Sequence, residues 1–194
     1  MVANVQEWPR HAYTLEEYFA LELTGDARYE FWDGEIVCMS GGSQRPARIS
    51  GNVYFSLRQQ LSGRPCEAFT SDLPIKTPLL PPYRHPDASV VCEKAEIENI
   101  EGIEVLTNPT LIVEVLSPAT EARDRHEKRT AYQALPSAME YLLLAQDAPH
   151  VTHFQRQANQ WVRSDYGDLG ATVELPSIGC VLALSDAYQS VEFE

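Results

Sequence analysis

At 194 residues, 44% hydrophobic and 22% charged, the chain has material for one domain with a buried core. Its longest apolar runs, such as residues 141–145, are strand-sized and exclude a membrane-spanning helix. Residues 1–10 lack the basic start and apolar run of a signal peptide, so a cytoplasmic setting is expected. The net charge of −13, from 15 basic and 28 acidic residues, argues mildly against nucleic-acid binding, which needs a basic face. Clustered carboxylates are nonetheless what a Mg²⁺ site requires.

Thr14-Leu15-Glu16-Glu17 is a capping box, predicting a helix to about Leu23 with Leu15, Tyr18, Phe19 and Leu23 at helical spacing. Asp33-Gly34 between residues 28–32 and 35–39 predicts a hairpin. Gly41-Gly42-Ser43 then breaks the pattern. A longer helix is expected over residues 48–61, with Ile49, Val53, Leu57 and Leu61 on one stripe and Gly63 as its stop. Residues 66–69 and 72–75 are short strand candidates, and Pro78, Pro81 and Pro82 mark a loop. Glu93 to Glu98 reads as a solvated acidic surface. Residues 111–116, Leu-Ile-Val-Glu-Val-Leu, predict a central strand that is apolar on both faces apart from one carboxylate. A helix over residues 121–135, with Thr120 at its N-cap and Pro136 as its end, precedes a buried strand at 139–145. Residues 151–156 and 161–164 form a further hairpin before a tail. The four cysteines, Cys38, Cys66, Cys92 and Cys180, form no C-x-x-C pair and are expected as reduced, partly buried thiols. The order helix, three strands, helix, strand predicts an α/β fold with a mixed sheet flanked by helices, as a single domain over 1–194 with its core at about 44–146.

Glu114 is the most informative residue. A carboxylate inside Ile-Val-Glu-Val-Leu needs a pair or a metal, because an uncompensated buried charge is costly. Alternation places Ile112, Glu114 and Leu116 on one face and Val113 and Val115 on the other. Asp87, after Pro86 and opening the apolar Ala88-Ser89-Val90-Val91, is alone an ordinary turn carboxylate. Beside Glu114 it becomes half of a pair able to hold Mg²⁺, a hard cation that takes oxygen ligands. Asp124, Lys128 and Tyr132 fall at i, i+4 and i+8. Lys128 is therefore either one half of a surface pair with Asp124, or a lysine leaning toward the sheet to orient water or neutralise phosphorane charge. His153, on the late hairpin, is expected as a surface or half-buried residue. Arg45, Arg48 and Arg58 are the nearest sources of phosphate contacts.

Pro86-Asp87, then Glu114-Val115-Leu116-Ser117-Pro118, then Asp124-Arg125-His126-Glu127-Lys128 together resemble the Uma-type restriction endonuclease family of the PD-(D/E)XK nuclease superfamily. Residues 28–37, 64–67, 108–109, 134–137 and 176–179 also resemble family segments. The resemblance implies an αβββαβ core, with an N-terminal helix and hairpin and a C-terminal β extension. It further implies Mg²⁺- or Mn²⁺-dependent hydrolysis of nucleic-acid phosphodiester bonds, DNA first among substrates. Asp87 and Glu114 match the motif's two acids. Leu116 stands where the superfamily's lysine usually sits, and Lys128 on the following helix would replace it. Glu30 matches an N-terminal glutamate that accompanies the site, and Asp72 matches an acid ahead of the Pro-Asp strand, a further candidate for the metal. Read alone, Glu30 is a hairpin cross-strand partner and Asp72 a turn acid. Where relatives carry a histidine at the start of the long helix, this chain has Pro46, and no other histidine replaces it by spacing.

Two functions of different class follow: a metal-dependent endonuclease, and a nuclease fold that no longer cuts and serves as a binding or interaction module. Net charge and Pro46 favour the second; Asp87, Glu114 and Lys128 favour the first. A carboxylate-pair glycosidase explains neither the lysine nor the Pro-Asp context. A homodimer would suit cleavage of both strands, and the edges of a mixed sheet offer it a route.

Overall fold

The computed structural model describes residues 11–25, 27–39 and 43–193. They form two compact units, one ending at residue 40 and one starting at residue 41. The first ten residues and the Gly41-Gly42 break lie outside the described residues.

In the first unit, α1 (Leu15–Glu22) starts where expected, because the capping box closes in both directions. Thr14 Oγ1 accepts from Glu17 N at 3.2 Å, and Glu17 Oε2 accepts from Thr14 N at 2.8 Å. β1 (Tyr29–Trp32) and β2 (Glu35–Cys38) pair antiparallel across Asp33-Gly34. Both turn residues take positive φ, 46° and 87°, the conformation that Asp-Gly tolerates best. Buried Tyr18 ties helix to hairpin by donating to Tyr29 O at 3.1 Å.

The second unit opens with α2 (Gln44–Gln60), four residues earlier than expected. Pro46 sits in its first turn, where a missing N–H breaks no helical bond. Then come β3 (Cys66–Thr70), β4 (Ile75–Lys76), β5 (Tyr83–Arg84), β6 (Ala88–Cys92), β7 (Ile97–Ile100), β8 (Ile103–Leu106) and β9 (Leu111–Val115). A helical segment follows in three parts: α3 (Glu121–Arg123), a π-helical turn (Asp124–Lys128) and α4 (Arg129–Gln133). The chain ends with β10 (Glu140–Leu144), β11 (Val151–Gln157), β12 (Gln160–Tyr166), β13 (Thr172–Leu175), β14 (Cys180–Ala183) and α5 (Leu184–Ala187).

Six strands make the main sheet in the order β12-β11-β10-β9-β6-β3, with β9 and β10 parallel and the other pairs antiparallel. The alternation of β9 divides two cores. Leu111, Val113 and Val115 pack with Ile49, Val53 and Leu57 of α2, together with β13, β14 and α5. Ile112 and Leu116 pack on the opposite face with Tyr132, Leu135, Tyr141, Leu143 and Phe154. Glu114 therefore belongs to this second face, as period-two alternation requires.

Several expectations are corrected. Cys66 and Cys92 face each other across β3 and β6 and are joined in a disulfide, while Cys38 and Cys180 are free. Scattered spacing hid the pair because register, not sequence distance, makes two cysteines neighbours. The strand expected at 72–75 shrinks to Ile75–Lys76, with Asp72 in the preceding turn. Glu93, Lys94, Glu96 and Glu98 are exposed as expected, but the run leads into an unforeseen hairpin, β7–β8, turned at Glu101-Gly102 and joined to β4 and β5 in a second sheet. Thr120 occupies the N-cap but its side chain makes no capping bond to the helix; it meets Ser117 Oγ at 3.0 Å. The expected C-terminal tail is a second hairpin and a short helix.

Candidate active site

β6 and β9 carry the two acids to one place. Their register pairs Ala88 with Val113, and Asp87 N donates to Val113 O at 3.0 Å, so Asp87 lies across from Glu114 where the ladder ends. The Asp87 carboxylate extends that ladder by one rung, its Oδ2 accepting from Val115 N at 2.7 Å. Asp87 is half-buried, whereas Glu114 is only 3% exposed.

Lys128 reaches Glu114 from the π-helical turn, with Nζ 3.2 Å from Glu114 Oε1. Tyr132 Oη donates to the same oxygen at 3.1 Å. The lysine thus leans toward the sheet as the i, i+4, i+8 spacing allows. Its i, i+4 pairing with Asp124 also exists, at 3.2 Å, but it is no surface pair: both side chains are almost completely buried. Asp124 was legible only as a partner on a helix face. Its burial follows from sharing the i, i+4 face of Lys128, which packs on the sheet. Tyr141, on β10, donates to Asp124 O at 3.0 Å. Burial, and then the Glu114 and Asp124 carboxylates, push the Tyr141 phenol well above its ordinary range, so it stays a neutral donor.

The other candidates are placed differently. Asp72 is exposed in the turn after β3, accepting from Thr70 Oγ1 at 3.1 Å. Glu30, in the first unit, is buried on β1 and accepts from Trp32 Nε1 at 3.0 Å. Arg48 donates to Ser190 O, and with Arg45, Val191 and Glu192 lines an open pocket of about 380 Å³; Arg58 is exposed on α2. His153 is buried, not superficial, because Glu140 beside it on β10 is also buried and the two meet at 3.1 Å.

Among the described residues, no group of three or more His, Cys, Asp or Glu side chains converges as a metal cage. A hard cation that keeps its waters and uses one or two carboxylates, with substrate phosphate completing its shell, suits the facing Asp87 and Glu114. The half-burial of Asp87 leaves that pair an approach from solvent.

The second unit is thus an α/β fold, a mixed sheet with helices on both faces. A solved chain from Anabaena variabilis ATCC 29413, described as "a putative nuclease belonging to DUF820", superposes with a TM-score of 0.68 over 86% of this chain and 93% of that one, at 18% identity. Residues 15–185 match the family model "Uma2: Putative restriction endonuclease", and the chain belongs to this family. Two proteins of Synechocystis sp. (strain ATCC 27184 / PCC 6803 / Kazusa) are similar along most of their length. "Uncharacterized protein slr1290" is 32% identical over 194 residues, the whole of both chains. "Uncharacterized protein sll1609" is 31% identical over 162 residues, 83% of this chain and 91% of that one. No helix among the described residues is long and apolar enough to cross a membrane.

Proposed function

We propose that the protein is a Mg²⁺- or Mn²⁺-dependent endonuclease that hydrolyses phosphodiester bonds in DNA, acting as one nuclease domain in the cytoplasm. The observation that carries this reading is the buried contact of Lys128 Nζ with Glu114 Oε1, on a strand whose Glu114 faces Asp87. Asp87 and Glu114 would hold the cation. When bound, it would supply positive charge for the phosphoryl oxygens and a lowered pKa for water. Lys128 is anchored by Glu114 with its ammonium beside the acids, so it can orient the attacking water or offset charge gathering on phosphorus. Tyr132 fixes the shared Glu114 oxygen, and Asp87 is held rigid by the Val115 amide. Pre-positioned groups of this kind cost little reorganisation during the reaction. Glu30 and Asp72 remain outside this core assignment. An exposed edge strand such as β12 gives a homodimer its route.

The test is cleavage of plasmid, linear duplex, single-stranded and branched DNA with Mg²⁺ or Mn²⁺. Wild type should cut at least one substrate, and Asp87→Ala and Glu114→Ala should each lose at least ~100-fold in rate. Calorimetric Mn²⁺ binding should vanish in both variants. No cleavage by wild type, or cleavage indifferent to both substitutions, removes the enzyme reading. The net charge of −13 and Pro46 in the first turn of α2 favour a second reading, a nuclease fold retained as a binding module. Mn²⁺ binding without cleavage of any substrate would select it.

A further inference from the structure

We propose that Asp124 is a positioning residue: held on the π-helical turn, it fixes the Lys128 ammonium against Glu114 and thereby keeps the cation site open. The inference rests on the nuclease reading for its functional consequence, but its geometric core is independent of it. Lys128 Nζ stands 3.2 Å from Asp124 Oδ1 and 3.2 Å from Glu114 Oε1, with the three side chains 1%, 2% and 4% exposed. An ammonium buried to that degree is tolerated only when it is compensated. With Glu114 as its sole anion, Lys128 would neutralise the carboxylate that a metal needs. The second anion shares the ammonium, so Glu114 keeps charge for a cation.

The backbone makes the arrangement specific. Asp124 and Lys128 begin and end the π-helical turn, and both face the sheet while Arg125, His126 and Glu127 between them do not. Tyr141 Oη holds Asp124 O at 3.0 Å, tying the turn to β10. Tyr132, one turn on, fixes the other side of the Glu114 oxygen. Asp124 thus orients Lys128 as an outer carboxylate orients a metal-binding histidine, an effect whose removal typically weakens metal binding about 10–100-fold.

The experiment uses metal-free, ¹⁵N-lysine-labelled protein. Wild type should show a slowly exchanging ammonium resonance that disappears in Lys128→Met. In Asp124→Asn that resonance should be lost or exchange at least ~10-fold faster, and Mn²⁺ affinity by calorimetry should fall roughly tenfold, with the melting profile still cooperative. An unaltered Lys128 resonance, or Mn²⁺ affinity within about twofold of wild type, overturns the proposal. Should Asp124→Asn not fold, the paired Asp124→Asn/Lys128→Gln variant decides. Removing both charges together should restore folding, and a pair as unfolded as the single variant overturns the proposal. Absence of DNA cleavage by wild type would remove the nuclease reading without touching the Lys128 resonance, so the two failures are distinguishable.

Discussion

Glu114 and Glu140 are both acids buried in apolar strands, and their surroundings separate them. Glu140 is enclosed by structural partners: His153 Nε2 at 3.1 Å, the Ser177 amide at 3.2 Å and the Ser177 hydroxyl. Glu114 instead meets a lysine and a tyrosine at one oxygen and faces a second acid across the ladder. A buried acid is thus a reason to look, and only its partners tell a fold staple from a candidate active site. Asp165 is a surface example of the staple. Hydrogen bonds from Arg163 hold its carboxyl below the usual range against the opposing effect of burial, with lesser help from Thr152 and His150. A folded pKa below the unfolded one means its contribution is present above pH ~4 and is lost as pH falls through the folded value. Urea midpoints of wild type and Asp165→Asn should therefore differ at pH 7 and converge toward pH 3. A gap that stays constant across that range would mean Asp165 stabilises by shape alone.

At the scale of elements, the π-helical turn is the device that matters most. Within a regular α-helix, residues at i and i+4 are offset along one face. Here Asp124 and Lys128, at the two ends of the turn, are both buried, and Arg125 to Glu127 between them are not. Deleting the exposed His126 should let the segment close as an α-helix and move Asp124 and Lys128 from i, i+4 to i, i+3, still on one face but with their offset changed. Far-ultraviolet circular dichroism should then show helix content preserved, while Mn²⁺ affinity falls at least ~10-fold. Mn²⁺ affinity that survives the deletion unchanged would show that the turn is incidental. The hairpins β7–β8 and β13–β14 teach a related lesson. Their strands are four residues long and their stability comes from the second sheet and from α2 and α5, so local alternation alone signals them weakly.

For the molecule as a whole, the Cys66–Cys92 disulfide joins edge strand β3 to β6, the strand that Asp87 precedes. Its loop spans a sequence separation of 26, for which the chain-entropy account gives roughly 3.5 kcal/mol. Dithiothreitol should lower the urea midpoint of wild type by a corresponding amount and leave that of Cys66→Ser/Cys92→Ser unmoved. An equal response of both proteins would deny the bond a part in stability.

Local and periodic information in the sequence already determined much of this protein. The capping box set the start of α1, Asp33-Gly34 set the first hairpin, and the runs at 88–91, 111–116 and 140–144 set the central strands and which face Glu114 takes. Asp87, Glu114 and Lys128 were legible because each breaks a pattern or sits beside one that does. What only the tertiary structure decided depends on register and helical pitch. These place Asp87 opposite Glu114, pair Cys66 with Cys92, bury His153 on Glu140, and turn Asp124 inward beside Lys128. All but the last of these neighbours are far apart along the chain, so no local spacing encodes them; spacing puts Asp124 and Lys128 on one face, and only packing decides that this face is buried. Strand pairing and packing bring them together, and the cost of burying charge then selects the partners that satisfy it.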